Sequence, residues 1–218
     1  MAEKVKEQAV SEGSVGQKVK STFREYAEAI LMALLLALFI RTFIVQAFKI
    51  PSGSMIPTLA IGDHILVNKL SYGIRIPFLE KYLVEFGAPA RGDVIVFIYP
   101  EDRSKDFIKR VIGVAGDNVE VRNKKVYING KAVEDSHAHF EGYDPQLGGT
   151  VNGDNYGPKV VPEGHVFVMG DNRDRSYDSR FWGYVSLSEV RGKAFLIYWS
   201  WDGTDRWVRW ERLGSLIR

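Results

Sequence analysis

The chain has 218 residues, which is enough for one domain of ordinary size or two small ones. Lysine and arginine together number 29 against 27 acidic residues, and a net charge of only +2 argues against a dedicated nucleic-acid-binding protein. The chain has no cysteine, so disulfides, thiolate metal sites, iron–sulfur clusters and a catalytic thiol are excluded. A hydrophobic fraction of 45% beside 26% charged residues excludes both a disordered polymer and a multi-span membrane protein.

The N-terminal part of the chain changes from polar to apolar. Residues 1–25 are polar and mixed in charge, whereas residues 26–48 contain two apolar runs separated by Arg41. A helix over residues 26–48 would reach about 34 Å at about 1.5 Å per residue, which is enough to cross a hydrocarbon core of about 30 Å. No small-x-small cleavage site follows the first run, so we predict an uncleaved membrane anchor over 26–48. The alternative is a buried amphipathic helix of a soluble domain.

The rest of the chain, residues 49–218, predicts a mostly β domain. Short β-branched and aromatic runs alternate there with turns rich in Gly, Pro and Asp. The predicted strands are 64–68, 93–99, 106–114, 119–122, 125–128, 131–133, 165–169 and 194–199. Residues 134–164 are polar and glycine-rich, and we predict a loop-rich insertion there.

Common hydrolase motifs are missing from the sequence. There is no Gly-x-Ser-x-Gly elbow, no His-Glu-x-x-His and no phosphate-binding glycine loop. His137 and His139 lie in the polar insertion without a carboxylate at ligand spacing, and we interpret them as a solvated pair rather than a metal site. A Ser–His–Asp triad remains open at this point.

A serine and a lysine are the strongest catalytic candidates. Ser54 lies in Pro51-Ser-Gly-Ser-Met-Ile-Pro-Thr-Leu59, where two prolines and a glycine favour a rigid, irregular backbone. On a strand, Lys109 shares its face with Phe107 and Val111, and an apolar face lowers a lysine pKa until the neutral amine can act as a base. Arginine is not usefully deprotonated, so Arg110 is not the base. A proline-bounded turn and a lysine that reaches solvent are the alternatives.

A third segment, Gly170–Gly183, contains three Asp and three Arg directly after an apolar strand. Taken alone, this segment is either functional or a structural loop held by its own hydrogen bonds.

Together these segments resemble the bacterial type I signal peptidases, the leader peptidases of the Ser–Lys class. The motifs that carry the resemblance are Pro51–Leu59, Arg91-Gly-Asp-Val-Ile-Val-Phe97, Ile108-Lys-Arg-Val111, Gly170-Asp-Asn-Arg-Asp174 and Ser176-Tyr-Asp-Ser-Arg-Phe-Trp-Gly183. The resemblance covers residues 20–218, weakly in the insertion. It implies a transmembrane helix followed by the complex β fold that signal peptidases share with the self-cleaving SOS repressors. It also implies an endopeptidase that removes signal peptides from exported preproteins after an Ala-x-Ala-like site.

The resemblance also places roles on matching positions. Ser54 would be the acylating nucleophile and Lys109 its general base, and the Ser54 backbone N–H and the Ser52 hydroxyl would form the oxyanion hole. Ser176 would orient the lysine amine, and Asp178 with Arg180 would form a supporting ion pair, with Asp171 nearby. Substrate would pair as a strand with Phe48–Ser54 and Asp106–Lys109. The residues expected to line shallow substrate pockets are Ile50, Pro51, Leu59, Phe107 and Met169.

The implied setting is the bacterial cytoplasmic (inner) membrane. The resemblance implies neither cofactor nor metal, and the expected partners are preproteins, membrane lipid and, further afield, the protein-export machinery, with no nucleic acid. The basic flank before the apolar run predicts a single-pass protein with a cytoplasmic N-terminus and an extracytoplasmic catalytic domain. Four C-terminal tryptophans suggest a second lipid contact, with packing into the β core as the alternative; they are Trp199, Trp201, Trp207 and Trp210.

Two rival functions were weighed against this interpretation. A self-cleaving SOS-type domain needs an Ala-Gly or Cys-Gly bond before its serine, and no such dipeptide precedes Ser54. A non-catalytic, membrane-tethered β domain that binds exported proteins needs only the anchor and the strands, so it stays open. The compact insertion also departs from family members that carry a large second β domain.

Overall fold

The computed structural model describes residues 2–75, 82–142 and 151–218. The chain divides into two compact units, Met1–Thr42 and Phe43–Arg218. The first unit is a single helix, α1, which continues one residue into the second and spans Ala2–Phe43. Its apolar part, Phe23–Phe43, has 21 residues with a mean hydropathy of 1.8, and its most apolar stretch is exposed. A helix of this length and composition is compatible with membrane anchoring.

The predicted end of the anchor at Phe48 is wrong. The helix ends at Phe43, and Val45–Lys49 forms strand β1 instead. β1 pairs antiparallel with the next strand, with Phe48 opposite Ile65. Apolar residues continue beyond Arg41, but main-chain pairing with β2 ends the helix at Phe43.

The second unit is built from antiparallel strands, so the predicted mostly β fold is confirmed. After β1 the strands are β2 Asp63–Asn68, β3 Gly73–Arg75, β4 Tyr82–Glu85, β5 Val94–Ile98, β6 Asp106–Val114, β7 Asn118–Arg122, β8 Lys125–Ile128, β9 Lys131–Ala132, β10 Tyr156–Val160, β11 His165–Met169, β12 Val185–Ser186, β13 Val190–Asp202 and β14 Trp207–Val208. A short helix, α2, spans Ser179–Trp182. All eight predicted strands are present, and the prediction missed β1, β3, β4, β10, β12 and β14.

The largest sheet has the strand order β1-β2-β13-β5-β6-β11-β12, and β14 pairs with β13. A four-stranded sheet has the order β10-β7-β8-β9, and β3 pairs with β4. The predicted loop-rich insertion is therefore only partly loop, because β10 lies within it and pairs with β7. Residues 143–150 of the insertion lie outside the described residues.

Strand β6 places one strand edge beside the functional residues. On one side β6 pairs with β5, where Lys109 lies opposite Ile95. β11 pairs with β6 only between Arg110 and Val114. Within the described residues, the other edge of Asp106–Lys109 therefore has no strand partner.

The loop between β1 and β2 is anchored in the core. Ile50, Met55 and Leu59 are buried in one hydrophobic cluster with residues of β2, β5 and β13. Turn hydrogen bonds run from the Ile56 N–H to the Gly53 carbonyl at 3.2 Å and from the Leu59 N–H to the Met55 carbonyl at 2.8 Å. These contacts give a rigid backbone to the segment that carries Ser54.

Candidate active site

Ser54 and Lys109 meet in the second unit. The Lys109 Nζ lies 2.6 Å from the Ser54 Oγ, although the residues are 55 positions apart in sequence. Both side chains are buried, with 8% of Ser54 and 4% of Lys109 exposed. The nucleophile and the base predicted from sequence are therefore in direct hydrogen-bond contact.

Burial tunes the lysine for this contact. The pKa of Lys109 is lowered from 10.5 to about 8, and desolvation by burial is the largest cause. The carboxylates of Asp178 and Asp171 act in the opposite direction, and Arg180 contributes to the lowering. The Phe107 ring centroid lies 5.5 Å from the Nζ, on the face that strand alternation predicts. An amine with this pKa is partly neutral near pH 7 and can accept the serine proton.

Arg110 faces away from Lys109 and forms a second buried cluster. Its Nε and Nη2 donate to the two carboxylate oxygens of Asp171 at 2.8 and 2.6 Å, and both side chains are almost fully buried. The Thr58 hydroxyl donates to the same carboxylate at 2.6 Å. Asp171 therefore connects the strand that carries the lysine to the loop that carries Ser54.

Asp178 and Arg180 form the ion pair that the sequence predicted. The Arg180 Nε and Nη2 donate to the carboxylate of Asp178 at 2.8 and 2.9 Å. Asp178 also accepts from the Gly170 N–H at 3.1 Å and from the first turn of α2. Burial alone raises the pKa of the Asp178 carboxyl, but the Arg180 guanidinium and these hydrogen bonds outweigh it and hold the pKa below its usual value.

Ser176 lies at the centre of this loop and is buried. Its hydroxyl accepts from the Gly170 N–H at 3.2 Å and hydrogen-bonds to the Asp178 carboxylate. A Cβ on Gly170 would fall 2.3 Å from the Ser176 Oγ and 2.4 Å from the Ser54 carbonyl oxygen, so only glycine fits there. Within the described residues the partners of the Ser176 hydroxyl are these two, and its role in orienting Lys109 stays a prediction.

The two predicted oxyanion donors, the Ser52 hydroxyl and the Ser54 N–H, lie on the loop between β1 and β2. Ser52 is exposed on the same loop, two residues before the nucleophile. Among the described residues, the Ser54 N–H makes no hydrogen bond, which leaves it available to a developing negative charge.

The predicted pocket residues differ in accessibility. Pro51 is exposed, and Phe107 is half-buried beneath the Tyr99 ring at a centroid distance of 4.2 Å. Ile50, Leu59 and Met169 are packed in the core with at most 2% of their surface exposed. Ile50 and Leu59 belong to one hydrophobic cluster and Met169 to another, and the contact of all three with substrate stays a prediction.

Two residues near the serine were missed by the sequence analysis as individual candidates. Thr58 lies in the Pro51–Leu59 motif and holds Asp171. Asn172, fully buried, donates its backbone N–H to the Ser54 carbonyl at 3.1 Å. Both belong to motifs that the sequence singled out, but only their spatial neighbours distinguish them from the residues beside them.

The two histidines of the insertion lie outside this chemistry. His139 bridges the active-site loop through its backbone, because its N–H donates to the Asp171 carbonyl at 2.8 Å. Its ring is exposed and lies 3.6 Å from a carboxylate oxygen of Glu141. No group of three or more metal-ligating side chains occurs among the residues that the structure describes.

Comparison with known proteins identifies the family. The profile of the family described as "Signal peptidase, peptidase S26" matches residues 23–199, a range that includes Ser54, Lys109 and the Gly170–Gly183 loop. The chain belongs to this signal peptidase family. The resemblance seen in the motifs is thereby confirmed.

Two relatives named signal peptidase I agree with this assignment. Signal peptidase I of Pseudomonas fluorescens is 42% identical over an alignment of 206 positions, and the match covers 81% of this chain and 72% of the relative. Signal peptidase I of Aquifex aeolicus is 38% identical over an alignment of 228 positions, and the match covers 81% of this chain and 84% of the relative. A crystal structure of a signal peptidase I from Enterococcus faecalis V583 has 33% sequence identity and a TM-score of 0.38, covering 48% of this chain and 95% of that one.

Proposed function

We propose that the protein is a membrane-bound serine endopeptidase that cleaves signal peptides from exported preproteins after an Ala-x-Ala-like site. Membership of the signal peptidase family supports the removal of signal peptides. The observation that carries the mechanism is the buried contact of 2.6 Å between the Lys109 amine and the Ser54 hydroxyl.

The chemistry follows from this pair. The neutral Lys109 amine takes the Ser54 proton while the Ser54 Oγ attacks the scissile carbonyl carbon. The Ser54 N–H and the Ser52 hydroxyl stabilise the oxyanion. The lysine then gives its proton to the leaving amine, the peptide bond breaks and an acyl-enzyme forms. In the second half, Lys109 takes a proton from water while the water oxygen attacks the ester carbon. The ester bond then breaks, Lys109 returns the proton to the Ser54 oxygen, and the signal peptide leaves with a new carboxyl group.

Substrate specificity follows from the open strand edge. A peptide that pairs with Asp106–Lys109 is extended, so side chains two residues apart face the protein. Behind that face Ile50 and Leu59 are tightly packed in the core, which leaves little depth for a side chain. Small residues at alternate positions, as in Ala-x-Ala, fit such a surface.

The proposed location is the cytoplasmic membrane. The exposed apolar helix Phe23–Phe43 supports a single anchor, and the basic residues before it favour a cytoplasmic N-terminus. The catalytic unit would then lie outside the cytoplasm, where exported preproteins, lipid headgroups and the export machinery are its partners.

The deciding experiment is cleavage of a preprotein by the purified protein in detergent. Wild type is expected to release a mature chain whose new N-terminus, read by mass spectrometry, follows a small-x-small sequence. Ser54→Ala is expected to release none while still binding the preprotein, and Ser104→Ala, at an exposed turn serine, is the matched control and keeps full activity. Equal cleavage by Ser54→Ala would reject the mechanism, and binding without cleavage by wild type would favour the non-catalytic alternative.

A further inference from the structure

The peptide unit that joins Gly53 to Ser54 is held by Asn172. The Asn172 Nδ2 donates to the Gly53 carbonyl oxygen at 3.3 Å, and the Ile56 N–H donates to the same oxygen at 3.2 Å. The Asn172 backbone N–H holds the next carbonyl, that of Ser54, at 3.1 Å. Asn172 has no exposed surface, so this contact is part of the packed interior.

Fixing the Gly53 carbonyl also fixes the Ser54 N–H. The peptide bond is planar and trans, so the carbonyl oxygen and the N–H of one unit point in opposite directions. Glycine has few backbone restrictions, so the orientation of this peptide plane depends on the two donors to its oxygen, the Asn172 Nδ2 and the Ile56 N–H. A turn of the plane would carry the Ser54 N–H away from the oxyanion.

The side-chain amide of Asn172 is suited to this contact alone. Its Nδ2 meets a carbonyl oxygen, which requires a donor. Its Oδ1 is buried and has no hydrogen-bond partner among the described residues. Burying an unsatisfied oxygen is unfavourable, so the side chain contributes through its donor end, the Nδ2.

We propose that Asn172 is a positioning residue for the oxyanion hole, which orients the Ser54 N–H by holding the Gly53 carbonyl. The inference rests on the proposed function, in which that N–H stabilises the oxyanion. Asn172 does not contact the reacting atoms, so its effect is exerted on the transition state through the backbone of the nucleophile.

The test compares Asn172→Ala and Asn172→Asp with wild type in the full-length protein in detergent. Removing one oxyanion donor outright costs about 10²–10³ in kcat, and loss of its positioning is expected to lower kcat about tenfold to a hundredfold. KM is expected to stay within about twofold, because ground-state binding does not use the oxyanion. Asn172→Asp, which sets a carboxylate oxygen against the Gly53 carbonyl, is expected to lose more than Asn172→Ala.

A peptide aldehyde that ends in Ala-x-Ala distinguishes an effect on the orientation of the Ser54 N–H from a general loss of stability. The Ser54 oxygen adds to the aldehyde carbon, the Lys109 amine takes the hydroxyl proton, and the former carbonyl oxygen carries the negative charge. Affinity for this adduct is expected to fall by the same factor as kcat/KM. The corresponding peptide amide binds without forming an adduct and so reports ground-state binding, and its affinity is expected to be unchanged.

Arg212→Gln is the matched control for the stability of the loop. Its guanidinium donates to the Thr58 carbonyl at 3.0 Å and to Asp63, so it holds the same loop without touching the Gly53 peptide. This variant is expected to melt at a lower temperature while the ratio of aldehyde to amide affinity stays at the wild-type value.

The outcomes distinguish the two proposals. Wild-type kcat and aldehyde affinity in both folded Asn172 variants, or a loss confined to KM, would overturn the positioning role and leave the proposed function intact. A variant that fails to fold leaves the decision to the other one. If wild type itself fails to cleave preproteins, the proposed function fails, and the positioning role fails with it.

Discussion

At the scale of single residues, the pKa of Lys109 sets how much of the proposed base is neutral. Burial lowers this pKa from 10.5 to about 8. At pH 7 roughly a tenth of such an amine is neutral, whereas an ordinary lysine is neutral in fewer than about one molecule in a thousand. The lowered pKa therefore raises the fraction of active base by about two orders of magnitude.

The pH dependence of cleavage follows from the downward shift of the Lys109 pKa. Protonation removes the lone pair, so kcat/KM is expected to fall tenfold per pH unit below pH 7 and to level off above about pH 8. The measurement is the pH profile of a peptide substrate without groups that titrate in this range. Lys109→Arg keeps the charge but offers no lone pair, and it is expected to be inactive at every pH. Substantial turnover by this variant would remove Lys109 from the mechanism.

At the scale of elements, the active site depends on how strand β6, the serine loop and the Gly170–Gly183 loop are joined. Arg110 on β6 pairs with Asp171, and the same carboxylate accepts from Thr58. Because Lys109 and Arg110 are neighbours on a strand, one side chain contacts Ser54 and the next secures the surrounding loops.

Breaking this buried pair on one side is expected to be costly. Arg110→Met leaves the Asp171 carboxylate without its guanidinium and is expected to lower the free energy of unfolding by about 3–5 kcal/mol. Adding Asp171→Asn removes the orphaned charge, so the double variant is expected to recover part of the loss. Denaturant unfolding of both variants measures the difference. A single variant as stable as wild type would show that the pair adds nothing to stability.

At the scale of the whole molecule, the second unit carries an exposed aromatic surface at its C-terminal end. Trp207 and Trp210 are 65% and 61% exposed, and Trp199 and Trp201 are also exposed. The alternative, in which these tryptophans alternate into the core, is wrong. Indole rings favour the headgroup region of a bilayer, and the exposed Arg206 beside Trp207 favours anionic lipid, whereas Arg209 and Arg212 are paired with Asp202 and Asp63.

This surface predicts that the second unit binds lipid without the helix. A chain that begins at Phe43, and so keeps β1, is expected to bind anionic vesicles with a blue shift of tryptophan emission. Replacing both Trp207 and Trp210 by Ala is expected to weaken binding, while Phe140→Ala, at an exposed aromatic residue of the insertion, serves as the control. If the truncated chain ignores vesicles, the helix alone provides the membrane contact.

Local chemistry explains why the main features were predictable. The strands follow from short β-branched runs between turn residues, and β6, β8 and β11 occur with the predicted boundaries. The apolar composition of Phe23–Phe43 is sufficient to predict a long apolar helix. The motifs around Ser54 and Lys109 were recognisable because each is short and continuous in sequence.

The remaining features depend on contacts between distant parts of the chain. Pairing with β2 ends the helix at Phe43; Arg41 lies in the last helical turn, but the apolar residues continue beyond it to Phe48 and do not by themselves show where the helix stops. Sheet register and loop packing bring Ser54 to Lys109 and place Asn172 behind the Gly53 carbonyl. The pKa of Lys109 likewise depends on how completely other segments exclude water from it. Periodicity and propensity act over a few neighbouring residues, whereas burial, register and the pairing of charges belong to the folded chain.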